Sequence, residues 1–212
     1  MKICYLGHSS FVLTSSAGTS IVTDPYGEVG FCMPRVKADA VTVSHAHYDH
    51  CNIEGVDAPV AFTQAGEHVL GDIKLRGFLT DHDEAQGRKR GKNLVFKFLI
   101  DGLQVCHLGD LGEPFHKALA DELRPVDILL LPVGGNYTID AAQAKAYADA
   151  LSPAVVIPMH YAVEGLTVDI APPDEFLARY PEESVRYCKD GEIEFTREIA
   201  GAKTQVVLMN RR

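Results

Sequence analysis

Four side chains able to hold a metal ion fall within six residues of this chain, in His45-Ala46-His47-Tyr48-Asp49-His50. They follow directly on an apolar alternating run, Ala40-Val41-Thr42-Val43. In an extended segment side chains two residues apart share a side, so His45, His47 and Asp49 converge if the strand continues. His50 joins them only where the chain curls out of the strand. Core packing has no use for three imidazoles and a carboxylate at this density. Neutral imidazole and carboxylate are the donors that hold Zn²⁺ and related divalent ions. A closed structural site wraps four ligands around one ion. Asp49 and His50 lie too close to the two earlier histidines for that wrapping, which predicts two neighbouring ions sharing one loop.

Other His and Asp residues gain meaning from where they stand. His82 lies just past an apolar run, in Leu79-Thr80-Asp81-His82-Asp83. Asp110 follows another, in Leu108-Gly109-Asp110-Leu111-Gly112, and His160 a third, in Pro158-Met159-His160-Tyr161. Each sits where a strand hands over to a loop, as the His45 cluster does. Strand ends in one sheet system share a rim, and sites are commonly built there. Singly, a histidine after a strand reads as a surface or capping residue, and Gly-Asp-Leu-Gly as a turn. Together with His-x-His-x-Asp-His they read as ligands.

The elements that must position these residues are mostly short strands. Alternation and turn residues predict strands over Lys2–Leu6, Phe11–Thr14, Ile21–Asp24, Ala40–Val43, Val60–Phe62, Ile73–Phe78, Leu94–Ile100 and Gln104–Leu108. Asp101-Gly102 is a hairpin signal between the last two. Further strands are expected at Ile128–Leu131, Val155–Pro158, Ser184–Tyr187, Glu192–Thr196 and Gln205–Met209. Helices are expected at Gln64–Leu70, Pro114–Leu123, Asp140–Leu151 and Pro172–Arg179, with Asp140 as an N-cap and Ser152-Pro153 as a stop. With no repeat period or low-complexity linker, the expectation is one α/β domain over residues 1–212.

Composition bounds the function. A formal net charge of −9 argues against a sequence-independent nucleic-acid binder, whose affinity rests on phosphate neutralisation. The five cysteines, Cys4, Cys32, Cys51, Cys106 and Cys188, are odd in number and form no CxxC pair, so a disulfide framework is not expected and a reducing cytoplasm is. No apolar run is long enough for a membrane span, and the amino terminus shows no signal-peptide pattern. The oligomeric state is open.

With these motifs in this order, the chain resembles the metallo-β-lactamase superfamily over nearly its whole length. The six-residue His/Asp motif carries most of the specificity. The opening Leu6-Gly7-His8-Ser9-Ser10-Phe11 and Asp24-Pro25 look like the branch that holds ascorbate-6-phosphate lactonase and many uncharacterised metal-dependent hydrolases. The resemblance implies an αββα sandwich of two mixed β-sheets with helices on the outer faces. It also implies a ligand set: His45, His47 and His82 for a first ion, Asp49, His50 and His160 for a second, and Asp110 bridging them. β-Lactam hydrolysis is not implied, because true β-lactamases usually lack the Asp110-type bridge. Oxygen reduction is not implied either, because the di-iron branch carries Glu at the His47 position.

Two ions about 3.5–4 Å apart activate a bridging water and polarise a carbonyl or phosphoryl group. The expected enzyme is therefore a hydrolase of a small phosphodiester or of a lactone or ester. Zn²⁺ suits the ligands, and Mn²⁺ or Fe²⁺ is compatible with them. His8 is expected beside the ligands, orienting one or donating to a developing oxyanion, with a buried backbone-bonded histidine as the alternative. Asn136 and Tyr161 are candidate substrate-side donors, with plain loop residues as the stronger alternative. Gly87-Arg88-Lys89-Arg90-Gly91-Lys92 is a cationic loop in an acidic chain, its first cation six residues past His82, and Arg88 and Arg90 are candidate contacts for an anionic substrate. A solvated basic loop is the plainer alternative. His68, His107 and His116 are read as structural or solvated, and Cys51 as a small filler. Two other functions fit the motifs less well: a nuclease of the same fold, and a metal-binding protein without turnover.

Overall fold

A computed structural model describes all of residues 1–212. Two sheets face each other. The smaller runs, in spatial order, Glu192–Glu194, Lys2–Gly7, Ser10–Thr14, Ser20–Thr23, Ala40–Thr42 and Ala61–Phe62. The larger runs Val185–Cys188, Gln205–Met209, Val155–Met159, Ile128–Pro132, Leu103–His107, Lys92–Ile100, Ile73–Asp81 and Gly66–Leu70. Both are mixed, antiparallel through their hairpins and parallel where a longer connection returns.

Apolar alternation explains this layering. In Ile73–Asp81 the buried and exposed positions alternate through Ile73, Lys74, Leu75 and Arg76, so Ile73 and Leu75 enter the space between the sheets. There they meet Ile3, Phe11, Phe96 and Phe98. Ile128–Pro132 is buried on both faces. Ile128 and Leu130 join that inner core, while Leu129 and Leu131 pack beneath the helices. The helices are α1 (Lys117–Leu123), α2 (Ala141–Leu151) and α3 (Asp174–Leu177), and all three lie on the larger sheet with Ala144, Tyr147 and Phe176 buried. Over the smaller sheet, Val22 and Val41 are covered by the Val36–Lys37 and Val56–Asp57 strand pair and the 3₁₀ turn Ile53–Gly55.

Asp101 and Gly102 both take left-handed φ, +51° and +78°, as a tight hairpin between right-twisted strands requires. Asp140 caps α2 through Oδ1, which accepts from the N–H groups of Ala142 and Gln143. One expected helix is absent. Residues Gly66–Leu70 form the edge strand of the larger sheet, antiparallel to Ile73–Asp81, and His68 lies on it. The Gly71-Asp72 turn and the pairing edge offered by Ile73–Asp81 override the helix-like spacing of the segment. Two other helices are shorter than expected, because His116, accepting from the Leu119 N–H, starts α1 two residues beyond Pro114, and α3 spans a single turn.

Candidate metal centre

The strand ends do share one rim, and the two sheets are stitched there. The His160 N–H donates to the His8 carbonyl at 2.9 Å, the Leu94 N–H to the Ser44 carbonyl at 2.9 Å, and His107 Nε2 bonds the Ser9 carbonyl at 2.8 Å. His107 is thus structural. His8, Asp24 and His160 each follow a strand and take left-handed φ of +54°, +39° and +51°. Such a backbone in a non-glycine residue is strained and collects at functional sites.

Past Thr42 the chain leaves the sheet, and the His50 N–H closes a turn onto the His47 carbonyl at 2.9 Å. The turn divides the motif between two groups. His45 and His47 come together with His82, and Asp49 and His50 with His160 and His8. Asp110 lies between them. Its Oδ2 is 3.3 Å from His160 Nε2, 3.4 Å from His82 Nε2 and 3.8 Å from His45 Nε2, while its Oδ1 is 3.2 Å from His50 Nε2. Except for His47, all of these residues are buried.

Asp24 organises the ligand-type side chains from behind, a role that sequence reading did not assign it. Its Oδ1 accepts the Ser44 N–H at 2.8 Å. Its Oδ2 receives the Ser44 hydroxyl at 2.5 Å and His50 Nδ1 at 2.9 Å. An ionised carboxylate only accepts, so the Ser44 proton points to Asp24 and Ser44 Oγ accepts from His45 Nδ1, at 2.9 Å. Both imidazoles therefore carry their proton on Nδ1 and aim Nε2 at Asp110. The only sequence signal was position, an aspartate ending a strand at the same rim and a serine abutting His45. His8 Nε2 bonds Asp49 Oδ2 at 3.1 Å, which places it beside the ligand-type residues.

The electrostatics follow from burial and this convergence. Burial and the neighbouring His160 hold His8 down to about 4, against the pull of Asp49. Burial and His50 hold His45 down to about 3, and burial lowers His82. His50 goes the other way: burial alone would lower it, but Asp110 and Asp24 lift it well above the usual imidazole range. Burial would raise the Asp110 carboxyl, yet His160 and His50 hold it well below the usual carboxylate range. His45 Nε2, His50 Nε2 and Asp110 Oδ1 are buried and make no hydrogen bond. Orphaned atoms of this kind are rare in a folded protein. Imidazole nitrogens gathered around a carboxylate are the donor types that a divalent cation takes, displacing a proton where one is held, and the residues fit that group.

The rim opens into a cleft of about 570 Å³, lined by His47, Asp49, His82 and Asp110 on its floor and by Tyr48, Arg90, Tyr137 and Asp169 on its walls. The basic loop is firmly folded. Asp83, 1% exposed, accepts the N–H groups of Ala85, Gly87, Lys89 and Arg90. Arg90 reaches the cleft, stacking 5.3 Å over Tyr137 and donating to the Asn136 carbonyl at 3.3 Å. Arg88 is exposed and does not line the cleft, and Lys89 and Lys92 pair with Glu84 and Asp81. The Asn136 side chain donates to the Asp169 carbonyl at 2.7 Å, so it ties two cleft walls together. Tyr161 is buried outside the cleft, its hydroxyl directed at the Met209 carbonyl.

A two-sheet sandwich with a His/Asp centre on its rim defines a class of metal-dependent hydrolases. The Beta-lactamase superfamily domain matches residues 2–160. The UPF0173 protein of Pyrococcus furiosus is 32% identical over 203 residues, covering 83% of this chain and 89% of its own. The UPF0173 metal-dependent hydrolase of Methanospirillum hungatei is 32% identical over 188 residues, covering 76% and 83%. A Thermotoga maritima protein assigned to the Zn-dependent hydrolases of the metallo-β-lactamase superfamily superposes with a TM-score of 0.80, at 35% identity and 99% coverage of both chains. The chain belongs to the metallo-β-lactamase superfamily, among the UPF0173 metal-dependent hydrolases. No helix in it is long and apolar enough to cross a membrane.

Proposed function

We propose that this metal-dependent hydrolase works with two divalent ions, by preference Zn²⁺ and compatibly Mn²⁺ or Fe²⁺, on a small anionic phosphodiester or a lactone or ester. The reading is of one catalytic domain, residues 1–212, in a reducing cytoplasmic setting. The observation that carries it is the gathering of ligand-type side chains into one group with His45, His47 and His82 and another with Asp49, His50 and His160, the Asp110 carboxylate lying 3.2–3.8 Å from histidines of both. His45, His47 and His82 would hold one ion, and Asp49, His50 and His160 the other, with Asp110 shared. When bound, the ions supply a nucleophilic water at neutral pH and polarise the electrophile.

The chain's own residues do the rest. Asp24 and Ser44 engage the Nδ1 atoms of His50 and His45 and so keep both Nε2 atoms aimed inward. His8 holds the Asp49 carboxylate in one orientation through its Nε2–H. Arg90, fixed by Tyr137 and the Asn136 carbonyl, keeps guanidinium N–H groups for a phosphate or carboxylate on the substrate. Arg88, away from the cleft, adds only a diffuse field, and neither Asn136 nor Tyr161 is needed as a direct substrate contact. The test is metal quantification on the purified protein, followed by a panel of phosphodiesters, lactones and thioesters. Two ions per chain with turnover of one class supports the reading. One ion per chain, or two without any turnover, refutes it.

A further inference from the structure

The helices leave part of the larger sheet's outer face uncovered. Beside the C-terminal end of α1, strands Ile73–Asp81 and Lys92–Ile100 form a depression of about 360 Å³ holding Lys74, Arg76 and Lys97, with Arg124 on its border. Lys74 and His82 belong to the same extended stretch, so the depression lies roughly 25 Å from the metal centre at the rise of a β-strand.

Arg76 and Lys97 are direct cross-strand partners. Like charges placed opposite one another destabilise a sheet, and the neighbouring acids do little to relieve this pair. Glu122 reaches Arg76 only at 3.6 Å, with both side chains more than half exposed. Glu67 faces Arg76 from the edge strand without an ion pair. The Asp127 carboxylate accepts the Gln104 N–H at 2.7 Å. Lys97 is half-buried with neither a hydrogen bond nor an ion pair, and burial lowers its pKa. Lys74 is likewise unpaired. The guanidinium of Arg76 lies over the Phe78 ring at 4.6 Å, which fixes its plane. A chain with net charge −9 thus keeps two unpaired ammonium groups beside a weakly paired guanidinium at the expense of its sheet.

We propose that this depression is an anion site, separate from the metal centre, that takes a phosphate group through Arg76, Lys97 and Lys74. A planar guanidinium with two flanking ammonium groups suits a doubly charged oxyanion, and the concave shape suits a small molecule. The site explains why the like-charge pair is tolerated, since the bound anion lies between the two cations.

The experiment follows thermal unfolding and backbone amide shifts of the metal-loaded protein during titration with inorganic phosphate, ionic strength being matched with sodium chloride. Saturable shifts at Arg76, Lys97 and Leu99, distinct from any at the metal cleft, are expected. Lys97→Gln should melt higher than the wild type without phosphate, because the repulsion is gone. It should bind phosphate at this site at least tenfold more weakly, with metal content and hydrolysis unchanged. Repeating the titration with glycerol 3-phosphate assigns the source: equal affinity points to free phosphate, tighter binding to a phosphate ester. Shifts confined to the metal cleft, a non-saturating response, or equal phosphate binding by Lys97→Gln would overturn the site.

Discussion

Replacing Asp24 by Asn tests the centre at its least obvious point. Three donors converge on the two oxygens of this carboxylate: the Ser44 N–H, the Ser44 hydroxyl and His50 Nδ1–H. An amide of the same shape offers one oxygen and an NH₂, so on one side a donor must face a donor. If the oxygen turns to the Ser44 N–H, His50 loses its acceptor and the Ser44 hydroxyl its reason to point away from His45. Both imidazoles then become free to carry their proton on Nε2, where an ion would bind. A hydrogen bond to a charged group contributes about 1.5–3 kcal/mol, and about 1.4 kcal/mol is a factor of ten in affinity. Affinity for each ion should therefore fall about 10- to 100-fold, the range seen when groups behind metal-bound histidines are removed. The assay is competition against a chelating dye at equilibrium, with metal counting, on protein whose circular dichroism shows it folded. Ser44→Ala serves as comparison, because it frees His45 but leaves the bond from His50 to Asp24 intact, so one ion should weaken more than the other. Wild-type affinity for both ions in Asp24→Asn would refute the reasoning.

Asp110→Ala should lower activity by orders of magnitude and reduce metal occupancy while the chain stays folded; full activity with two ions would remove Asp110 from its proposed place. Metal affinity should rise with pH, because His50, lifted well above the usual imidazole range, holds a proton at neutral pH that the ion must displace. The expected slope for the ion at His50 is about tenfold per pH unit up to that pKa, with one proton released on binding. His45, held down to about 3, is already neutral there and adds no slope; a flat affinity between about pH 6 and 8, the ordinary imidazole range, refutes this. Arg90→Gln should cut kcat/KM for an anionic substrate roughly tenfold, more at low than at high salt, and Arg88→Gln should do little; equal effects of the two, or equal loss on neutral esters, would exclude Arg90 as the anion contact.

The sheets were legible because buried and exposed residues alternate along much of a strand with one buried face, as in Ile73-Lys74-Leu75-Arg76, and because Asp101-Gly102 admits few backbone shapes. The edge strand Gly66–Leu70 was not legible. With one neighbour and an outer face in water, its residues carry no pattern strong enough to outweigh a helix, and the pairing partner decides. The basic loop was legible as charge but not as shape. Its folding hangs on Asp83, whose four backbone contacts lie within seven residues yet resemble any acidic loop in sequence. Only the structure separates Arg90, which enters the cleft, from Arg88, which does not.

The centre divides along the same line. Ligand-type residues announce themselves by chemistry, since imidazoles and carboxylates at strand ends have few structural uses. What holds them depends on contacts between the two sheets, and no periodicity encodes those. His8 and Asp24 end strands of the smaller sheet, and His160 ends a strand of the larger. All three take left-handed backbones that cost about 1–3 kcal/mol each. That strain is sustained only because both sheets pack against the rim, with His160 bonded to the His8 carbonyl and His107 to the Ser9 carbonyl. Asp24 then works across the same boundary, orienting histidines from a loop that the larger sheet anchors through Leu94 and Ser44. The residues that would touch an ion are thus visible in the sequence, while the residues that fix their protons and directions exist as a set only once the two sheets have met.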